Sequence, residues 1–273
     1  MPRGSRQGAE PGLGMADTIK LDVTGGIARV TLARPDVRNA FNAGVIAELH
    51  AVFTRINAAD DVRAVVLSGE GTVFCGGADV KWMRESLDLS VEANTIDAER
   101  MSDMFRAIDN CAHPVIGRIH GAALGGGAGL AAVCDIAIAG DEAIFGFTEV
   151  KLGIIPAVIS PFVLAKIGPS HARALFLTGE RFGAERALQI GLVHRVVPAA
   201  ELDAAVDAAL AEIRTAGPRA VSAAKLLVRR VGDATYHETR ALTSEAIANQ
   251  RVTPEGQEGL RAFLERRKAS FAE

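Results

Sequence analysis

Two glycine-rich turns hold the residues best placed to do chemistry. Gly125-Gly126-Gly127-Ala128-Gly129 lies between the apolar runs Pro114 to His120 and Leu130 to Cys134. Adjacent glycines ahead of a helix-forming run strip side chains from backbone whose N–H groups are still unpaired. Such a turn can point an amide at an anion, with the helix dipole behind it. A second turn, Cys75-Gly76-Gly77-Ala78-Asp79, follows another apolar strand. One amide from each turn is what an enolate-like oxyanion needs for stabilisation. Ala78 has no reactive side chain, so any chemistry from it comes through its N–H.

Neither turn is a nucleotide loop. A Walker loop needs Gly-Lys-Ser/Thr, and no Lys follows Gly127. A dinucleotide fingerprint starting at Gly125 needs Gly where Leu130 stands. The plain alternative is a turn that only packs helix on strand.

Glu149 is the candidate acid or base. It stands in Phe145-Gly146-Phe147-Thr148-Glu149-Val150, apolar apart from Thr148. Apolar surroundings raise a carboxyl pKa, which suits proton transfer near neutral pH. An exposed Glu paired with Lys151 is the plainer reading. Asp79 reads first as a helix N-cap. Arg38, a loop arginine, could meet a phosphate together with Lys81. Cys75 lies in the first glycine turn, but no nearby His marks it as a nucleophile. The six histidines have no metal-ligand spacing, and His120 reads as structural.

The elements that must position these groups follow from periodicity. Ile19 to Val23 and Ala28 to Leu32 alternate around Gly25-Gly26, a hairpin signal. Val45, Leu49, Val52, Phe53 and Ile56 recur at helical spacing, and Val65-Val66-Leu67 is a fully apolar strand. A helical stripe over 91–111, a strand at 115–119, a short buried helix at 128–133 and strands at 136–139 and 143–147 repeat the cadence. From about Ser160 the chain turns helical. Helices are expected at 183–190, 202–215, 218–231, 237–249 and 254–269, with a last strand at 193–197. Strands alternating with helices, then a helical tail, indicate an α/β core plus a C-terminal α segment.

Composition narrows the class. The 273 residues suffice for a sizeable core; 49% are hydrophobic and 23% charged. A net charge of −3 with mixed signs argues against a general nucleic-acid surface. No apolar run reaches the roughly 18–20 residues of a membrane span. Three cysteines without metal spacing read as reduced thiols of a cytoplasmic protein. Residues 1–16 read as a disordered leader or tag remnant without a signal-peptide core.

Taken together, these residues resemble the enoyl-CoA hydratase/isomerase (crotonase) superfamily. The similarity is carried by Arg34-Pro35 with Asn39-Ala40-Phe41-Asn42, by Phe74-Cys75-Gly76-Gly77-Ala78-Asp79-Val80, and by Gly121 to Gly127 with Cys134-Asp135-Ile136. It continues through Phe145-Gly146, Glu149, Leu152 to Pro156, Leu177 to Phe182, Gly191-Leu192-Val193 and Glu258 to Arg267. It runs in order from about Ile19 to the end of the chain.

The resemblance implies a crotonase-like spiral of ββα units over residues 17–200, carrying an acyl-CoA site. Residues 201–273 would form a C-terminal helical oligomerisation segment of a homotrimer or dimer of trimers. Coenzyme A would be part of the substrate, with no separate cofactor and no metal. The oxyanion amides fall on Ala78 and Gly126, and the catalytic carboxylate on Glu149. Arg38 and Ala40 would lie near the 3′-phosphate and pantetheine, with Ala78, Asp79 and Val80 walling the adenine end. Family hydratases typically carry a second glutamate, where this chain has Gly129. On that reading Gly129→Glu is a candidate for strengthened hydration. Ile155-Pro156-Ala157-Val158-Ile159-Ser160-Pro161 looks like the single-glutamate hydratases of methylglutaconyl-CoA and related substrates.

The activity implied is addition of water across the C2=C3 bond of a 2-enoyl-CoA. A Δ3,Δ2-enoyl-CoA isomerase, and a non-catalytic acyl-CoA-binding scaffold, are the alternatives. Trp82, Met83, Phe105 and Ile159 are expected near the acyl chain.

Overall fold

A computed structural model describes residues 18–272, so the expected leader lies outside the described residues. β1 (Ile19–Thr24) and β2 (Ile27–Leu32) form the expected hairpin, with Ile19 opposite Leu32. β3 (Ala64–Gly69), β4 (Val115–Ile119), β6 (Ile136–Gly140) and β9 (Arg195–Val197) extend it in parallel, in the order β1-β2-β3-β4-β6-β9. A second sheet orders β5 (Ala122–Leu124), β7 (Ile144–Gly146) and β8 (Arg181–Gly183). β4 passes to β5, and β6 to β7, across short bends. In both places the chain steps from one sheet to the other before the next helix, giving the ββα winding.

The continuous apolar run in β3 has a simple cause: both of its faces are buried. Val65 and Leu67 face the larger core. Ala64 and Val66 face a second core, built with Ile27, Ile116 and Ile138 against α7 (Leu202–Thr215). The larger core holds α1 (Ala43–Asn57), α3 (Val91–Asp109), α4 (Gly126–Val133) and α5 (Ser160–Thr178). α1 starts at Asn42, whose side chain accepts from Val45 N–H, and buries Val45, Ile46, Leu49, Phe53 and Ile56. α5 is kinked at Gly168, where Pro169 cannot continue the hydrogen-bond ladder.

Some sequence expectations change. The buried helix starts at Gly126, not Ala128. β5 and β8 were not expected, and the helix that Asp79 was expected to cap is the six-residue α2 (Val80–Glu85). α6 (Ala184–Gln189) matches the periodic signal. α10 (Pro254–Leu264) stops short of residue 269, because Arg266 adopts a left-handed φ of 54°. α7 covers one face of the sheet. By contrast α8 (Pro218–Asp233) and α9 (Tyr236–Val252) bury no residue, and α10 buries only Ala262.

Candidate active site

The two glycine turns are stitched together by backbone. Cys75 N–H donates to Ala122 O (3.0 Å), and Leu124 N–H donates to Cys75 O (3.0 Å). This contact leaves no space for side chains. A Cβ at Gly127 would overlap Cys75 O, and one at Gly77 (φ 98°) would lie 3.0 Å from Leu124 O. Cys75 itself is fully buried, its thiol 3.2 Å from Asn39 O, and burial pushes its pKa up to about 12. A thiol in that state is no nucleophile.

Ala78 forms a parallel bridge with Phe41. Phe41 N–H donates to Gly77 O (2.7 Å) and Asp79 N–H to Phe41 O (2.8 Å). Ala78, between these bonds, turns its own N–H away, and no described residue accepts from it. Gly126 is the first residue of α4, so its N–H has no partner within the helix. The preceding Gly125 N–H is taken by Gly146 O at 2.8 Å.

Glu149 reaches this helix start. It opens a 3-10 turn (Glu149–Leu152) after β7, and its Oε1 lies 3.2 Å from where a Cβ on Gly125 would stand. Oε2 is buried without a hydrogen-bond partner, and Glu149 makes no ion pair with Lys151 among the described residues. The plain surface reading of Glu149 is therefore overturned. Burial raises its pKa against a smaller lowering effect from its own backbone N–H.

Every residue of α4 is buried, and its bare glycine backbone is what large side chains press on. A Cβ on Gly126 would lie 2.6 Å from Phe41 Cε2 and 3.1 Å from Met101 Cε. One on Gly129 would overlap Ile159 Cγ2 and lie 3.1 Å from Phe105 Cζ. The expected gain from Gly129→Glu is corrected here: Ile159 and Phe105 already fill that space. Phe105 also packs edge-on to Phe41 at 6.2 Å and near Phe162 at 5.7 Å. Of the expected acyl-chain neighbours, Phe105 and Ile159 are thus at α4, and Trp82 packs against the same core.

The expected CoA-end residues form one strip beside Ala78. Gly76 N–H donates to Arg38 O (2.8 Å), which ties the Arg38 loop to the first glycine turn. Arg38 is exposed and Val80 is exposed, whereas Ala40 is buried. Asp79 is an N-cap as expected, accepting from Lys81 N–H at 2.8 Å. It is also paired with Arg34 Nη2 at 2.8 Å. Burial would raise its carboxyl, but these bonds outweigh burial and hold it below the usual carboxylate range. His120 is held by Gly71 O (3.0 Å) and Arg118 (3.2 Å), a structural setting.

Sequence reasoning named Arg34, Asn39 and Phe41 only as motif residues, without a role in the site, and missed Met101. Arg34 holds both Ala40 O (2.6 Å) and Asp79. Buried Asn39 accepts from Arg34 N–H and donates to Glu70 O and Val73 O. Asn is one of the few residues that tolerates its φ of 54°. A cleft of about 490 Å³ lined by Arg29, Arg118, His120, Glu142 and Asp203 lies on the α7 face and contains none of these site residues.

The chain is similar to known proteins along nearly its whole length. The short-chain-enoyl-CoA hydratase of Clostridium acetobutylicum is 33% identical over 258 residues, covering 92% of this chain and 96% of that protein. A crystal structure of an enoyl-CoA hydratase from Shewanella pealeana superposes with a TM-score of 0.89 at 37% identity, over 93% of this chain and 95% of that one. Pseudomonas aeruginosa AtuE superposes with a TM-score of 0.91 at 35% identity, over 94% of this chain and 100% of that one. The sequence model described as Enoyl-CoA hydratase/isomerase matches residues 22–273, nearly the whole described chain, and the protein belongs to that family.

Proposed function

We propose that this enzyme adds water to a 2-enoyl-CoA thioester, with Glu149 as its acid and base. The observation that carries the reading is the position of Glu149. Its carboxylate is half-buried, with one oxygen unpartnered, beside the helix start that leaves Gly126 N–H without a partner in the helix. The thioester oxygen would lie between the Ala78 and Gly126 amides. Each such donor stabilises an enolate-like transition state by roughly 2–4 kcal/mol. Glu149 takes a proton from water as its oxygen bonds to C3, then returns that proton to C2. One carboxylate suffices because it ends the cycle in the state in which it began. Arg38, Ala40, Asp79 and Val80 would line the CoA end, Asp79 by holding the loop through Arg34 and the α2 cap.

A second reading, double-bond migration between C3 and C2, is favoured by the packing at Gly129. Ile159 and Phe105 leave no second carboxylate there to hold a water. Turnover of crotonyl-CoA, methylglutaconyl-CoA and a 3-enoyl-CoA in heavy-oxygen water separates the readings. Label in a 3-hydroxyacyl product supports hydration. Unlabelled exchange of 3-enoyl for 2-enoyl, with no hydroxyacyl product, overturns it.

The assembly proposed is a homotrimer or dimer of trimers. Support comes from the exposed Leu226, Val228, Leu260, Phe263 and Leu264 on α8 and α10.

A further inference from the structure

Gly125 is the N-cap residue of α4 and Gly129 lies one turn into it, the two joined by the Gly129 N–H to Gly125 O bond of 3.1 Å. Glu149 lies against the first of them and Ile159 against the second. Helical side chains lean toward the N-terminus, so a group growing from residue 129 would lean back toward the start of α4. That direction is closed. A Cβ at 129 would overlap Ile159 Cγ2 and lie 3.0 Å from Ile159 Cβ, with Phe105 Cζ behind at 3.1 Å. Ile159 is 2% exposed, and Phe105 is fully buried. Ile159 stands at the start of α5, for which it is the N-cap residue.

We propose that Ile159 is a specificity-determining residue for the reaction outcome: backed by Phe105, its side chain fills the space beside α4 that a second water-holding group would need, one turn from the glycine that Glu149 lies against, and keeps that flank apolar. This deepens the reading of Glu149 as the proton carrier and rests on it. The branched Cγ2 is the atom that matters, since it is the one that meets position 129. Valine keeps that atom and alanine does not. With alanine, the flank opens to water, and water addition gains relative to proton transfer between carbons.

Two experiments test this. In the first, hydration of crotonyl-CoA and isomerisation of a 3-enoyl-CoA are measured for the wild type, Ile159→Val and Ile159→Ala. The hydration-to-isomerisation ratio should rise about tenfold in Ile159→Ala, in the range of coupling between residues in contact, and stay near wild type in Ile159→Val. An unchanged ratio in Ile159→Ala, while turnover still needs Glu149, overturns this inference alone. Turnover that survives Glu149→Gln overturns the underlying reading, and this inference with it. The second experiment reads thermal midpoints and needs no activity. Gly129→Ala should lower the midpoint, and the same change in an Ile159→Gly background should lower it much less, because Gly is tolerated at an N-cap. Equal lowering in both backgrounds means that Ile159 does not hold the space.

Discussion

Glu149 is a carboxylate held partly out of water beside a helix start, and two consequences follow at the residue scale. Glu149→Gln should lower kcat by about 100-fold or more, the range of a lost general acid–base, with acyl-CoA binding retained in a titration of the mutant. The reactive form is the ionised one, and burial raises its pKa. The acid limb of kcat/KM should therefore lie above the ordinary carboxylate range and vanish in the mutant. Stability runs the other way. A raised folded-state pKa means that Glu149 costs nothing below its unfolded pKa, and stability is lost as pH rises through the folded value. Glu149→Gln should then raise the thermal midpoint at neutral pH, and the gain should disappear in acid. Gly126→Ala makes a steric prediction. Its Cβ would meet Phe41 Cε2 at 2.6 Å, so overpacking should cost about 1–3 kcal/mol in chemical denaturation.

At the scale of elements, the site is held by the loop between β2 and α1. Asn39 sits in that loop with three hydrogen bonds to backbone groups of residues 34, 70 and 73. Asn39→Ala would leave those groups unpaired in a buried place. It should cost roughly 3 kcal/mol in urea denaturation and raise KM for acyl-CoA, because the Ala78 turn hangs on the same loop. The long periodic elements, α1, α3, β3 and α7, were legible in the sequence because each buries a continuous stripe. β5 and β8 were not. They are three residues long and exist only because distant segments pair with them, Ala123 with Phe145 and Phe145 with Phe182. α2 was legible only through its N-cap, Asp79, because six residues of which none is fully buried carry no period.

At the scale of the whole molecule, the contrast is between α7, which closes the sheet, and α8 to α10, which bury almost nothing of their own. The tail is nevertheless anchored. Arg63 donates to Phe271 O (2.9 Å) and to Ala216 O (2.7 Å), and Arg267 pairs with Glu258 at 2.7 Å. An anchored helical layer with Phe263 81% and Leu264 79% exposed is suited to a second copy of the chain. Sedimentation velocity should give three or six subunits. Phe263→Asp with Leu264→Asp should shift the protein toward monomer, and a wild-type monomer at micromolar concentration would remove the proposed assembly.

The amino-acid sequence by itself determined where backbone must come close to backbone, since only runs such as Gly76-Gly77 and Gly125-Gly126-Gly127 permit it, and it marked Glu149 as a carboxylate in apolar company. It also carried the alternation of strands and helices, because periodic burial is written into neighbouring residues. Only the tertiary structure decided what stands opposite those glycines. That Glu149 meets Gly125, Phe41 meets Gly126 and Ile159 meets Gly129 depends on contacts between segments far apart in the chain. Such contacts leave no local pattern, and so the absence of room at position 129 could be seen only in the folded protein.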